Sequence, residues 1–500
     1  MRRPFRLTRR AAVLLVAVAA FTLPGCLVDT ATTTVAGVFA GSFTENLILG
    51  RTFTDGTAVT TAVYMDLGDG RGRRPFGVDF NGDGRIDPVV AYGGKQAVLQ
   101  ILLSQGPAGS TEFISLTLDS KRDMEGLTDV AVGDIDGDNR LDLVAAASNA
   151  LWYFRQPDLG PTYLRGWGNP DDSDGLRERI EASTTAVDQD VINAIIKQAI
   201  GPFVNLEDYT VTVDSRYTDV ELGDFNNDGW LDIVASRLFH IHLEPRPTAS
   251  VEPIDVYDGD VIIFLNPGGA RDGRDWSSIS IGTQERQARL DRDGAAGLLV
   301  YDLDGDGDLD VISAAQNDNN AQVAWFENPL GRNSTTLSAE VPWRQWRIGS
   351  VRDAYAIDVA DLTGDGRVDI IASGSAQQQV VLFVQPATGP KREYDWDTHP
   401  IVTFENYTPR DVKAIDLDGD GRAEIVVGCT GGALRYFKPG PDPTLPWTPF
   451  MVADLDPPGD IGLLGFGDLD GDGDLDLVAV VGGDEPNAAR IIWIRNRLMR

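Results

Sequence analysis

In the stretch DLDGDGDLD, Asp302–Asp310, five aspartates stand at alternate positions, and the same nine residues return at Asp468–Asp476. Carboxylates crowded this closely repel one another unless a cation sits among them. Related copies start at Asp79 (DFNGDGRID), Asp134 (DIDGDNRLD), Asp224 (DFNNDGWLD), Asp361 (DLTGDGRVD) and Asp416 (DLDGDGRAE), seven in all. Positions one, three, five and nine carry side-chain oxygens every time. The first three sets are Asp79, Asn81, Asp83, Asp87; Asp134, Asp136, Asp138, Asp142; and Asp224, Asn226, Asp228, Asp232. The next two are Asp302, Asp304, Asp306, Asp310 and Asp361, Thr363, Asp365, Asp369. The last two are Asp416, Asp418, Asp420, Glu424 and Asp468, Asp470, Asp472, Asp476.

Position four is Gly or Asn, and position six is Gly except at Asn139, residue types that tolerate the left-handed backbone needed to fold the oxygens inward. Position eight is always apolar (Ile86, Leu141, Leu231, Leu309, Val368, Ala423, Leu475) and is expected to anchor the loop to the core. Hard oxygen donors on a short loop favour calcium over zinc or copper. An EF-hand would need a bidentate Glu at position twelve. That position holds Val90, Ala145, Ala235, Ser313, Ala372, Val427 and Ala479, so the EF-hand is excluded. Thr363 at position three and Asn139 at position six mark the two weakest sites.

The elements that must position these loops repeat with them. A short apolar run such as DVAVGD precedes each copy and another such as VDIIASG follows it, both strand-like and bounded by Gly and Asp. A third run ends at Pro or Asn (ALWYFRQP, VIIFLNP, VAWFENP, VVLFVQP, LRYFKP, IIWIRN), and a more polar fourth follows, as in YTVTVDS, SSISIG, RQWRIGS and PIVTF. Copies start about 55 residues apart, with two longer intervals, which is the mark of a repeat architecture. Four strands in each of seven repeats predict an all-β fold, a seven-bladed β-propeller of four-stranded blades. The last repeat has room for only three strands, so residues 57–67 (TAVTTAVYMDL) are expected to supply its fourth and close the ring between the chain's two ends.

These loops and flanks resemble the FG-GAP/VCBS repeats of integrin α-chains and secreted bacterial proteins, over about residues 57–496. The resemblance implies up to seven structural calcium ions, each held by side chains at positions one, three, five and nine. It also implies a main-chain carbonyl ligand at position seven, from Arg85, Arg140, Trp230, Asp308, Arg367, Arg422 and Asp474. The side chains of Asp308 and Asp474 would then be left to solvent.

Acids outnumber bases 76 to 43, for a formal charge of -33, which argues against a phosphate backbone as partner. The first 25 residues join five arginines to a short apolar core, too short to span a bilayer but suited to a signal peptide. They end in Leu23-Pro24-Gly25-Cys26, which resembles a bacterial lipobox with Cys26 as the lipidated residue. Residues 26–56 then form a tether, partly helical from TTVAGVFAGSFTENLI, and 57–500 the propeller. With Cys26 acylated, Cys429 has no disulfide partner and reads as a small buried residue.

Two insertions interrupt the propeller. Residues 158–208 hold a helix, DQDVINAIIKQAIG, and are placed on the calcium-loop side, between strands three and four of the second blade. Residues 239–258 are placed on the opposite face, where ligands would be recognised. They carry His240, His242 and Glu244, which point one way if the segment is extended, as transition-metal ligands would. Arginines precede several inner strands (Arg74, Arg122, Arg216, Arg292, Arg352, Arg410), either paired with neighbouring aspartates or facing an anionic ligand. No catalytic constellation is present: G-x-S-x-G, H-E-x-x-H and a phosphate-binding Gly-Lys loop are all missing, and the histidines number three. The expectation is an exported, calcium-stabilised module that recognises or adheres to a protein or glycan and meets the membrane only through its lipid. The alternatives are a carbohydrate-active enzyme such as a polysaccharide lyase, and a structural envelope module.

Overall fold

The computed structural model describes residues 43–498 apart from 53–60, 65–77, 163–176, 183–204 (except Asn193 and Ile196), 283–294 and shorter loop segments. The signal segment, Cys26, residues 27–42, Arg74, Arg122 and Arg292 lie outside the described residues. Among the described residues the strands form seven four-stranded antiparallel sheets. Six are contiguous in sequence, for example Ala354–Ala360, Asp369–Gly374, Gln379–Val384 and Asp397–Thr403. The first strands, Thr61–Tyr64, Asp129–Gly133, Tyr209–Gly223, Ala295–Tyr301, Ala354–Ala360, Pro409–Ile415 and Ile461–Gly467, each pack on the next, and the last packs on the first. The chain is a β-propeller.

Burial follows strand position. Second strands such as Asp310–Ala315 and Glu424–Cys429 are buried at every residue, because a neighbouring blade covers each face. Fourth strands such as Thr448–Asp454 are exposed over most of their length. The core therefore lies between blades. Leu299, Ile312 and Trp325 of the fourth blade meet Ile357, Ile370 and Phe383 of the fifth, and comparable clusters join the fifth to the sixth and the sixth to the seventh. Cys429 is buried in the sixth blade, as expected, and burial pushes its thiol up to about 12.

Three expectations need correction. The ring is closed by an N-terminal strand, but by Phe43–Thr52, which pairs with Ala488–Asn496, and not by residues 57–67. Thr61–Tyr64 is instead the innermost strand of the first blade. The tether assigned to 26–56 thus contains a blade strand, Phe43–Thr52, and its helical reading fails where the two overlap, at residues 43–48. The apolar spacing of FTENLILGRT fits either period, and only pairing along the edge of the last sheet decides between them.

The second correction concerns residues 158–208. They contain the outer strand of the second blade, Arg177–Ala182 (RERIEA), whose lone large apolar residue gives little signal for a strand. The stretch YTVTVDS belongs instead to the inner strand of the third blade, Tyr209–Gly223. Consequently the segment with Asn193 and Ile196, both helical, joins two blades on the face opposite the nine-residue acidic loops. The rest of the expected helix lies outside the described residues.

The third correction concerns residues 239–258, which are not a loop. They extend two strands, Asp232–Pro245 and Ile254–Leu265, which pair in register from Ile233↔Phe264 to Leu243↔Ile254. With Tyr209–Gly223 alongside, they make a three-stranded ribbon. The 14-residue middle strand exceeds the six-residue Asp310–Ala315 by eight residues, so the ribbon stands about 25 Å beyond the blade.

Candidate calcium loops

All seven nine-residue copies connect the first and second strands of their blades, and so share one face of the ring. Positions four and six adopt positive φ in every copy, including Asn227 (57°) and Asn139 (67°). That backbone turns main-chain N–H groups inward onto the carboxylate at position one. Asp302 accepts from Gly305 (2.9 Å), Asp306 (3.1 Å) and Gly307 (3.0 Å), and Asp468 from Gly471, Asp472 and Gly473. Asp79 accepts from the same three positions, Asp224, Asp361 and Asp416 accept from positions five and six, and Asp134 accepts from Asn139.

Position nine works inward. One oxygen of Asp310 accepts from Leu303 N at position two (3.0 Å), the other from Asn328 N at the end of the third strand (2.8 Å). The same pair of bonds recurs at Asp87, Asp142, Asp232, Asp369 and, through Asn496, at Asp476 on the third-strand side. Glu424 accepts from Leu417 N. These carboxyls are buried, and burial pushes Asp87, Asp142, Asp232, Asp476 and Glu424 up to about 7 and Asp310 up to about 8. Asp369 is raised for the same reason. A divalent cation beside them would act in the opposite direction and favour the charged form.

The donor set fits calcium. One oxygen from each of Asp302, Asp304 and Asp306 lies within 4.8 Å of the other two, as for Asp416, Asp418, Glu424, for Asp468, Asp470, Asp476, and for Asp134, Asp136, Asp142. Two oxygens on one calcium ion are at most about 5 Å apart, twice the 2.3–2.6 Å bond. Basic residues occupy only part of these groups. Arg495 and Lys438, from the third strands, pair with Oδ2 of Asp470 and Asp418, while the buried Oδ1 atoms accept no hydrogen bond. Arg155 reaches Asp136 likewise (2.8 Å). At position seven, the Arg85, Arg140 and Arg367 side chains fold back onto position five, Asp83, Asp138 and Asp365, while Arg422 N donates to Asp420.

One expectation about these loops changes, and the apolar anchor at position eight, which packs on the core clusters as expected, proves to have a deeper partner. Asp308 and Asp474 do not face solvent: both are buried, and Asp308 accepts from Asn227 Nδ2 of the preceding loop. The deep anchor is position two (Phe80, Ile135, Phe225, Leu303, Leu362, Leu417, Leu469), which is buried in every copy. Of the position-eight residues, Ile86 and Leu141 are buried and the others half-buried, and Leu231 lies over Gly133 of the blade before. Trp230 at position seven packs so closely on Gly137 that a Cβ there would lie 2.5 Å from its ring.

Sequence reasoning missed a bridge between blades. The residue closing the third strand sends its side-chain amide to the position-two carbonyl of another blade's loop. Gln156 reaches Phe80, Asn266 reaches Ile135, Asn328 reaches Phe225, Gln385 reaches Leu303 and Asn496 reaches Leu417, at 2.7–3.1 Å. The signal was present as a recurrent Asn or Gln at the strand end. Of the arginines expected on the opposite face, Arg216 is exposed on the ribbon, and Arg352 N donates to Gln377 Oε1. Arg410 stacks on Tyr355 and lies 3.8 Å from Asp460. His240, His242 and Glu244 alternate along the middle ribbon strand, as expected.

Comparison with protein families matches the FG-GAP-like repeat at residues 79–145, 302–372, 361–427 and 416–479. Curated proteins give no match. Among solved structures, BBS1N in complex with ARL6DN is similar at 13% identity and a TM-score of 0.40, over 88% of this chain and 96% of that one. YCF48 from Cyanidioschyzon merolae is similar at 9% identity and a TM-score of 0.43, over 91% and 98%. The Dos1 propeller is similar at 9% identity and a TM-score of 0.42, over 89% and 93%. The repeat matches fall on the loops and strands whose geometry is given above, and the chain is an FG-GAP-repeat β-propeller protein.

Proposed function

We propose that this protein is an exported recognition module, braced by calcium in its first-to-second strand loops and anchored to a membrane through lipid on Cys26. Its ligand, a protein or a glycan, meets the opposite face. The observation that carries this reading is the three-stranded ribbon on that face, since no other described blade extends its strands in this way. A rigid ribbon offers preorganised polar side chains at small entropic cost, which suits recognition. Its edge carries Thr212, Asp214 and Arg216, all exposed. The negative charge of the whole chain favours partners that are neutral, basic or bridged by a cation.

The test is a glycan array and a binding screen against envelope proteins, with calcium and with chelator. The parent chain is compared with a variant whose ribbon is cut to blade length by a tight turn replacing 239–258. Binding that needs both calcium and the ribbon supports the proposal. A ligand held equally well by the shortened chain contradicts it, and turnover of a bound glycan would make the protein an enzyme instead.

A further inference from the structure

The two faces of the ribbon differ in kind. One is apolar: Tyr209, Phe239, Ile241, Leu243 and Val256 form a buried cluster with Ile196 of the helical segment. Alternation along the strands sends His240, His242 and Glu244 to the other face, opposite Asp214, Thr212 and Thr210 in register. The neighbouring strand adds Asp255, the register partner of His242. Its Oδ1 lies 2.9 Å from His240 Nε2 and 2.7 Å from His242 Nδ1. The second nitrogen of His242, Nε2, is 3.0 Å from Glu244 Oε2.

We propose that His240 Nε2, His242 Nδ1 and an Asp255 carboxylate oxygen form a site for a single transition-metal ion of the zinc class, separate from the calcium loops. The three ligand atoms already lie within 4.8 Å of one another. Ligands about 2.0–2.1 Å from a tetrahedral zinc ion are roughly 3.3 Å apart, so the ion enters by opening the two present contacts by a few tenths of an ångström. Two imidazoles and one carboxylate are a borderline donor set, which zinc, copper or nickel prefers and calcium does not. Glu244 supplies what an adventitious pair of histidines lacks. By accepting from His242 Nε2–H it fixes the tautomer whose Nδ1 lone pair faces the ion, the carboxylate–histidine–metal arrangement of built sites.

Three protein ligands leave a fourth position open toward solvent, since both rings are about one-third exposed (35% and 36%). That position can take water, or a carboxylate or imidazole from a partner. The inference does not rest on the recognition reading: the metal can bind whether or not a partner follows.

Calorimetric titration of the full chain with zinc, in excess calcium to fill the loops, is the test. The account expects one equivalent bound. His240→Asn and His242→Asn should each weaken it about 100-fold or more, and Glu244→Gln about 10-fold. Absence of zinc uptake by the parent, or unchanged affinity in both Asn variants, overturns the proposal. Should the variants fold poorly, copper(II) bound to the parent still decides. Pulsed electron paramagnetic resonance should show couplings from two imidazole nitrogens, and a spectrum with oxygen ligands alone overturns the site.

Discussion

At the residue scale, the loops are built so that each polar group has two duties. Asp310 gathers the loop and the third strand, and Asn328, at that strand's end, carries the connection to the neighbouring blade. Asn328 is buried, donating to Phe225 O and Leu309 O and accepting from Leu330 N. Asn328→Ala should therefore destabilise the protein by about 2–4 kcal/mol, because buried carbonyls lose their donor. Urea denaturation checks this, and a change below about 0.5 kcal/mol would deny the bridge its role. A second residue pair lies on the inner strands. Asp129 accepts from Val220 N and Asp219 from Leu298 N, linking three successive blades. Burial raises Asp129 to about 6, and burial together with the Asp129 charge raises Asp219 as well, with Glu221 nearby acting the same way. Carboxyls raised in the folded state lose stability as pH climbs from their unfolded value through about 6. In constant calcium, Asp219→Asn should shrink the difference in unfolding free energy between pH 5 and pH 8. An identical difference in parent and variant would contradict the assignment.

At the element scale, legibility followed locality. In five of the seven blades the nine-residue loop and its two flanking strands occupy about twenty contiguous residues, with the oxygen-bearing positions, the positive-φ positions and the apolar anchors all in fixed register. Those elements are readable and stand where the pattern puts them, except in the first blade, whose inner strand Thr61–Tyr64 lies well before its loop and reads from sequence as part of the last blade. Arg177–Ala182 and Phe43–Thr52 were not, because outer strands need little apolar sequence and their identity comes from distant partners. The ribbon was misread for a related reason: its alternation was visible, but only pairing over eight extra residues separates long strands from a loop. A consequence is measurable. A chain starting at residue 43 should melt like the full chain. One starting at residue 57, the boundary suggested by sequence, exposes the edge of Ala488–Asn496 and should melt several degrees lower and self-associate. Equal melting temperatures for the two would remove the closing role of Phe43–Thr52.

At the scale of the whole molecule, the recurring acidic loops lie on one face of a closed ring and the ribbon on the other. A net charge of -33 opposes compaction, and calcium ions held among the acids would offset it. With calcium at about ten times a loop's dissociation constant, each occupied loop contributes about 1.4 kcal/mol. Seven reach the order of 10 kcal/mol, comparable to the net stability of a domain. Loops filled in this way would decide whether the ring is folded. The most direct measurement is differential scanning calorimetry of the full chain in millimolar calcium and in excess chelator, with bound calcium counted in parallel. The account predicts several bound ions per chain and a melting temperature that falls sharply on chelation. A chain that binds no calcium, or melts at the same temperature in both conditions, would contradict it.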